Sequence, residues 1–275
     1  MTTTASSPLA AIEAHTVMAA GLVSCPPCAA LTDVATLMCV HQVHAVVVDP
    51  GAPRLITARD VVRARLAGAA SVDEVIAPEA PSMDPDDTLL AAAELMVHAG
   101  EGHVVVRDRG AHRARGVLSS FDVVALLAGH EPRLARIVRP APARPAISGG
   151  PLSAHRVRDV MHRGIFFCPS TAPLPEVARV LVERRTHTVM VWLEDSMAFV
   201  TDMDVVAAAL RGWPFPTAGE LAGGGLALVR ADASLEQAAS LVAATTVGHV
   251  VVADANDFPV GVVSTLDVVG AIVDG

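Results

Sequence analysis

The chain of 275 residues contains no lysine and no tyrosine, and all 20 of its basic residues are arginine. We read that as composition bias rather than chemistry. Against them stand 29 acidic residues and a formal net charge of −9, which argues against nucleic acid and anionic membranes as main partners. The four cysteines, Cys25, Cys28, Cys39 and Cys168, do not suggest a disulfide framework in a chain of this size. Mean hydropathy is +0.48. Even so, Asp202 and Asp204 interrupt the apolar run around 189–210, and Asp267 interrupts the one near the end. Nothing reaches the ~18–20 uninterrupted apolar residues of a spanning helix. Met1 to Pro8 is polar without a basic residue, unlike a signal peptide, so the expected compartment is the cytoplasm. A composition 52% hydrophobic and 18% charged excludes disorder and supplies a packed core. The length predicts one large domain or two ordinary ones.

One pattern occurs four times. Its first copy reads His44-Ala-Val-Val-Val, a loop, then Leu55-Ile-Thr57-Ala-Arg-Asp60-Val-Val. The second reads Gly102-His103-Val-Val-Val, a loop, then Gly116-Val-Leu-Ser119-Ser-Phe-Asp122-Val-Val. The third reads His187-Thr-Val-Met-Val, a loop, then Phe199-Val-Thr201-Asp-Met-Asp204-Val-Val. The fourth reads Gly248-His249-Val-Val-Val, a loop, then Gly261-Val-Val-Ser264-Thr-Leu-Asp267-Val-Val. From His to Asp the separations are 16, 19, 17 and 18 residues, the variation falling in a loop that tolerates insertion.

Each copy has a helical stretch upstream, marked at helix spacing by Leu31, Val34, Ala35 and Met38 in the first. Leu89, Ala92, Ala93 and Met96 mark the second, Leu174, Val177, Ala178 and Leu181 the third, and Leu235, Ala238, Ala239 and Val242 the fourth. Short openers precede them: Val17-Met18, Glu74-Val-Ile76, Asp159-Val-Met161 and Glu220-Leu221. The apolar triplets at 46–48, 104–106, 189–191 and 250–252 predict buried strands. Asp49-Pro-Gly51, Asp108-Arg-Gly110 and Asp254-Ala-Asn-Asp257 read as hairpin turns, and Glu194-Asp-Ser196 as a turn without Gly or Pro. The order within a repeat is therefore strand, helix, strand, loop, strand, helix.

Asp-to-Asp intervals of 62, 82 and 63 residues put an insertion in the middle. It holds Pro132, Pro140, Pro142, Pro145, Pro151 and Gly149-Gly150, and reads as a linker over 129–154. The expected organisation is a tail at 1–14, a pair at 15–128 (repeats about 15–68 and 71–128), the linker, and a pair at 155–275 (repeats about 155–211 and 217–275).

Four copies of strand–hairpin–strand ending in a hydroxyl, two residues and Asp resemble the CBS domain. Two such repeats form a Bateman module. The resemblance implies an α/β fold of tandem CBS repeats paired into two modules. It also implies a regulatory, non-enzymatic protein whose clefts bind an adenosyl ligand: AMP, ADP, ATP or S-adenosylmethionine. It assigns ribose contact to Asp60, Asp122, Asp204 and Asp267. It assigns phosphate contact to Thr57, Ser119, Thr201 and Ser264, and to His44, His103, His187 and His249, which stand at similar positions. No cofactor and no metal is required, and the modules can pack as one chain or as a homodimer. With no effector domain attached, the effector protein would be another chain. Repeats 1 and 3 depart from the pattern, with Arg54 and Ala198 where repeats 2 and 4 have Gly116 and Gly261, and with Ala30 and Pro173 where those have Thr88 and Ser234. This ranks repeats 2 and 4 as the better sites.

Each feature also has a plain structural reading. A hydroxyl followed three residues later by an acid at a helix start is a capping-box variant. The histidines are equally at home as polar strand starts. An anionic ligand needs local positive charge, for which Arg59, Arg107 and Arg109 are candidates, while Arg113 and Arg115 read as solvated loop residues. Cys25-Pro-Pro-Cys28, with Cys39, His41 and His44 downstream, allows a thiol-redox or metal-regulator alternative but fits a strand-to-helix turn better. Trp213 and Phe215 read as a packed connector. A scaffold or dimerisation protein with degenerate, empty clefts is the other alternative.

Overall fold

A computed structural model describes residues 7–48, 54–75, 79–108, 113–130, 151–210, 217–223, 227–245 and 248–274. The turn at 49–51, Arg109 and Gly110, most of the expected linker, and Trp213 and Phe215 lie outside the described residues.

The order strand, helix, strand, strand, helix is present four times. Repeat 1 is β2 (Ser24–Cys25), α1 (Leu31–His41), β3 (Ala45–Val48), β4 (Arg54–Thr57) and α2 (Ala58–Leu66). Repeat 2 is β5 (Ser82–Met83), α3 (Leu89–Ala99), β6 (His103–Arg107), β7 (Ala114–Ser119) and α4 (Ser120–Leu127). Repeat 3 is β9 (Phe167–Pro169), α5 (Leu174–Glu183), β10 (Thr188–Trp192), β11 (Met197–Thr201) and α6 (Asp202–Leu210). Repeat 4 is β12 (Leu228–Arg230), α7 (Leu235–Ala244), β13 (His249–Ala253), β14 (Pro259–Ser264) and α8 (Thr265–Val273). In each, the first strand pairs in parallel with the second, and the second and third form an antiparallel hairpin. The helical positions named from spacing are buried, except that Leu174 is half-buried. The four valine-rich triplets are buried throughout, as strands covered on both faces require.

The contacts sort these repeats into two compact units. Unit 1 is 1–22, 80–164 and 227–275; unit 2 is 23–79 and 165–226. Unit 1 therefore holds repeats 2 and 4, and unit 2 holds repeats 1 and 3. In unit 1, α3 packs on α8, and α4 on α7 and α8. In unit 2, α1 packs on α6, and α2 on α5 and α6. Each unit has its own apolar core: Met96, Leu118, Leu235 and Val268 belong to one, Leu31, Met38, Ile56 and Leu181 to the other. The grouping 15–128 and 155–275 expected from chain order cuts across both units and remains a proposal. The physical reason for the observed grouping is that one repeat has two amphipathic helices and too little core to bury them alone. The helices of a second repeat supply the missing face.

The openers are placed differently from the sequence expectation. The segment before repeat 1 lies on repeat 2: Leu89 N–H donates to the Ile12 carbonyl, and Leu9, Ala14 and Val17 join the core of unit 1. The segment before repeat 2 lies on repeat 1, with Leu31 N–H donating to Ala70 O and Val72 N–H to Ala29 O. The other half repeats the exchange, through Leu235 N–H to His155 O and Ala218 N–H to Ala172 O. The bonds from Leu31, Leu89 and Leu235 satisfy orphan N–H groups at the starts of α1, α3 and α7.

In unit 1 two further strands, β1 (Ala19–Ala20) and β8 (His162–Arg163), add antiparallel to β7 and β14. That makes four-stranded sheets in unit 1 against three-stranded sheets in unit 2. Among the described residues no helix is long and apolar enough to cross a membrane.

Candidate ligand-binding site

The hydroxyl and Asp of every repeat close a capping box at the start of its second helix. In repeat 2, Ser119 N–H and Oγ–H donate to Asp122 Oδ2 at 2.9 and 2.6 Å, and Asp122 N–H donates back to Ser119 Oγ at 3.2 Å. Thr57 with Asp60, Thr201 with Asp204, and Ser264 with Asp267 repeat this triangle. Capping is therefore a role these residues have without any ligand. One carboxylate oxygen is committed to it each time. The other accepts from Arg63 Nη1 at 2.9 Å in Asp60, and faces His162 Nε2 at 2.8 Å in Asp267. Asp122 is buried, whereas Asp204 is half-buried. At the first helices, Thr88 and Ser234 cap with their side chains and Ala30 and Pro173 do not, following the sequence.

Strand register separates the four histidines into two kinds. His103 stands opposite Ser119 and His249 opposite Ser264; the residues opposite Thr57 and Thr201 are Ala45 and Thr188. His44 and His187 come one residue earlier, where repeats 2 and 4 have Gly102 and Gly248. In all four repeats the carbonyl at that earlier position accepts from the first N–H of the second helix: Ala58, Ser120, Asp202 and Thr265. The four histidines, expected at similar positions, fall at two adjacent ones. Unit 1 carries its histidines on the strand, and unit 2 carries them just before it.

The same register aligns the first residues of the second helices. In unit 1 these are Ser120 and Thr265, both buried, with Oγ and Oγ1 2.8 Å apart. In unit 2 they are Ala58 and Asp202. Asp202 is 2% exposed, and its Oδ2 lies 2.7 Å from His187 Nδ1 while Oδ1 accepts from Met203 N–H at 2.9 Å. His187 Nε2 lies 2.7 Å from Arg59 Nη2. Arginine offers only donors, so Nε2 presents its lone pair, and the imidazole proton sits on Nδ1 and points to Asp202. The result is a relay from Arg59 through His187 to Asp202 that ties repeat 1 to repeat 3. Burial alone would raise the Asp202 carboxyl. The His187 hydrogen bond and the electrostatic attraction of His187, His44 and Arg59 outweigh it and hold the carboxyl below its ordinary range.

Sequence reasoning named Arg59 and the histidines but missed Asp202. The signal was present: of the four motifs, only Thr201-Asp202-Met203-Asp204 has an acid directly after its hydroxyl. His162, beside Asp267, had no such signal. Arg115 pairs with Asp108 at 2.9 Å with both side chains about half exposed, as a loop arginine would. Arg107 ends β6 and is half-buried.

The four cysteines are free thiols. Burial pushes the Cys25 thiol up; burial, with Glu176 nearby, does the same to Cys168. That lowers the thiolate fraction on which reactivity depends. Among the described residues the one group of three His, Cys, Asp or Glu side chains close enough for a metal is Glu13, His15 and Asp86, all exposed, and it includes no cysteine. An open cleft of about 410 Å³ is lined by Phe167, Pro169, Ser170, Trp192 and Glu194, with the two rings stacked at 5.0 Å. It sits at the hairpin end of β10, away from the motif end at Thr188.

A CBS-domain family model matches residues 72–129, 157–211 and 224–274, together more than half of the chain. Repeat 1 falls outside the matched segments but has the same element order. A sequence comparison with curated proteins found no match. Among solved structures, a Methanocaldococcus jannaschii protein described as a candidate archaeal homolog of g-AMPK is 14% identical, with a TM-score of 0.74, over 94% of this chain and 99% of that one. An uncharacterised conserved protein of Pyrococcus horikoshii is 14% identical, with a TM-score of 0.60, over 95% and 100%. A CBS-domain protein of Pyrobaculum aerophilum, complexed with AMP, is 27% identical, with a TM-score of 0.38, over 40% and 89%. CBS-domain proteins are generally regulatory rather than catalytic. The repeats, their α/β order and the family match agree, and the chain belongs to the CBS-domain family.

Proposed function

We propose that this chain is a regulatory protein that binds an adenosyl ligand, an adenine nucleotide or S-adenosylmethionine, at the starts of its second helices, and that binding changes its conformation or its affinity for an effector protein. The observation that carries the reading is the fourfold helix start. Each presents the positive end of a helix dipole, which suits phosphate. Each also holds an Asp carboxylate that can accept from a ribose diol, a charged hydrogen bond worth about 1.5–3 kcal/mol, a ligand taking the place of Arg63 at Asp60 and of His162 at Asp267. Asp60, Asp122, Asp204 and Asp267 are the proposed ribose contacts; the cap hydroxyls and the four histidines are the proposed phosphate contacts. A ligand shifts conformation only through different affinities for two states.

The test is a thermal-shift series with AMP, ADP, ATP, S-adenosylmethionine and NAD, and a guanine nucleotide as control. A ligand at 100 times its dissociation constant adds about 2.7 kcal/mol, which is several degrees for units of this size. The double variant Asp122→Asn with Asp267→Asn keeps an acceptor for the caps and removes the charge. Its ligand-induced shift, measured from its own ligand-free Tm, is expected to fall. No shift of the parent protein with any adenosyl ligand at millimolar concentration would defeat the reading and favour a scaffold with empty clefts.

A further inference from the structure

The two units treat the first residue of the second helix in opposite ways. Unit 1 places two neutral hydroxyls there, Ser120 and Thr265, bonded to each other. Unit 2 places a carboxylate there, almost wholly buried, with cationic or proton-bearing groups around it from three other segments. These are His187 just ahead of β10, Arg59 in the first turn of α2, and His44 ahead of β3. At the surface the arrangement stays open, since the His187 side chain is 50% exposed. A positive helix start, an arginine and two histidines are what an anion seeks. In unit 2 an anion is already present, covalently part of the chain.

We infer that Asp202 is a built-in anion that occupies the cationic cluster of unit 2, so that a phosphate-bearing ligand binds unit 1 in preference and enters unit 2 only against this carboxylate. The inference rests on the proposed reading that phosphate-bearing ligands bind the starts of the second helices. Asp202 balances the Arg59 charge and holds the His187 proton on Nδ1. An incoming phosphate would have to take over both Arg59 and His187 while facing Asp202, a like charge. Removing that charge ends its pull on Arg59 and frees His187 to turn a donor to the ligand. In unit 1 no acid competes at the equivalent positions.

The experiment is calorimetric titration of the full chain with ATP and, separately, with inorganic pyrophosphate. It compares the parent protein with Asp202→Asn, and with Asp202→Ser as a second variant that copies the residue type at position 120. Folding is checked by Tm. The expected result is additional binding in both variants, with pyrophosphate affinity at the gained site about tenfold or more tighter than any such site in the parent. The gain should disappear when Arg59→Gln is added, which places it in unit 2. If the parent binds ATP and neither folded variant gains a site or affinity, the inference fails and the proposed function stands. If the parent binds no adenosyl ligand but the variants bind pyrophosphate, the inference stands and the proposed function falls. If no protein binds either probe, both are overturned.

Discussion

At Ser119 one hydroxyl donates to the Asp122 carboxylate and accepts from its backbone N–H. Both bonds exist without ligand, so truncation has a stability cost that comes before any binding effect. Ser119→Ala should lower unfolding free energy by about 1 kcal/mol, and Thr57→Ala, Thr201→Ala and Ser264→Ala by similar amounts, the usual worth of an N-cap. Urea denaturation without ligand checks this; four unchanged midpoints would mean the boxes do not hold in solution. The boxes were legible because a cap is local, with donor and acceptor three residues apart in any such helix. The histidine offset was hidden because spacing to Asp is blurred by loops of different length; only pairing across the hairpin fixes it. Asp202 was overlooked for another reason: its partners His187 and Arg59 come from two repeats, and no single motif contains them. Its environment sets a pH dependence. The folded carboxyl is held below its ordinary value, while the unfolded one titrates near about 3.9. The stability this supplies is full above about pH 4 and is lost as pH falls through the folded value. Asp202→Asn should therefore cost stability at neutral pH, with the difference from the parent shrinking on acidification below about pH 4. Urea midpoints from pH 3 to 7 measure it, and a difference constant with pH would refute the assignment.

Among the elements, the third strand of each repeat shows why its glycine is kept or lost. A Cβ built on Gly261 would stand 2.5 Å from the His162 carbonyl oxygen and 3.2 Å from Met161 Sδ. Both belong to the chain that forms β8 against β14. Gly116 pairs with Ala20 of β1 in the same way. Arg54 and Ala198 hold the matching places in unit 2, where no added strand of this kind forms on β4 or β11 among the described residues; single bridges, Arg54 to Glu79 and Phe199 to Gly223, stand there instead. The sequence reading used the glycine to rank repeats 2 and 4 as the better sites. The structure ties Gly261 to close approach of a backbone, something the sequence could not show because β8 comes from the segment before repeat 3. Gly261→Ala should destabilise by about 1–3 kcal/mol, the cost of overpacking against an element that must shift. Gly270 makes the contrast. It lies inside α8, and the nearest atom to an added Cβ is Val97 Cγ2 at 4.0 Å. Gly270→Ala should stabilise by about 0.5–1 kcal/mol by removing backbone freedom from the unfolded helix. Opposite signs at two glycines nine residues apart are read directly from paired urea curves.

For the whole molecule, chain order and spatial order differ. The self-comparison gave the repeats, their elements and their core positions because those depend on periodicity. It could not say which repeats share a core, since all four present similar apolar faces and any two would satisfy the pattern. The structure selects repeats 2 and 4 for one core and repeats 1 and 3 for the other. That selection has a measurable consequence. Leu118 is fully buried in the core of unit 1, so Leu118→Ala should cost about 2–5 kcal/mol through lost transfer energy and a residual cavity. Local opening follows cooperative contact units rather than sequence proximity. Amide exchange in the variant should therefore quicken in the helices and strands of both repeat 2 and repeat 4, including α7 and α8, more than 100 residues further along the chain. Protection in α1, α2 and α5 of unit 2 should change little. Peptide-resolved hydrogen exchange under native conditions separates the cases. A response spread over 15–128 and absent from 227–274 would show that stability follows chain order, and the division into these two units would have to be given up.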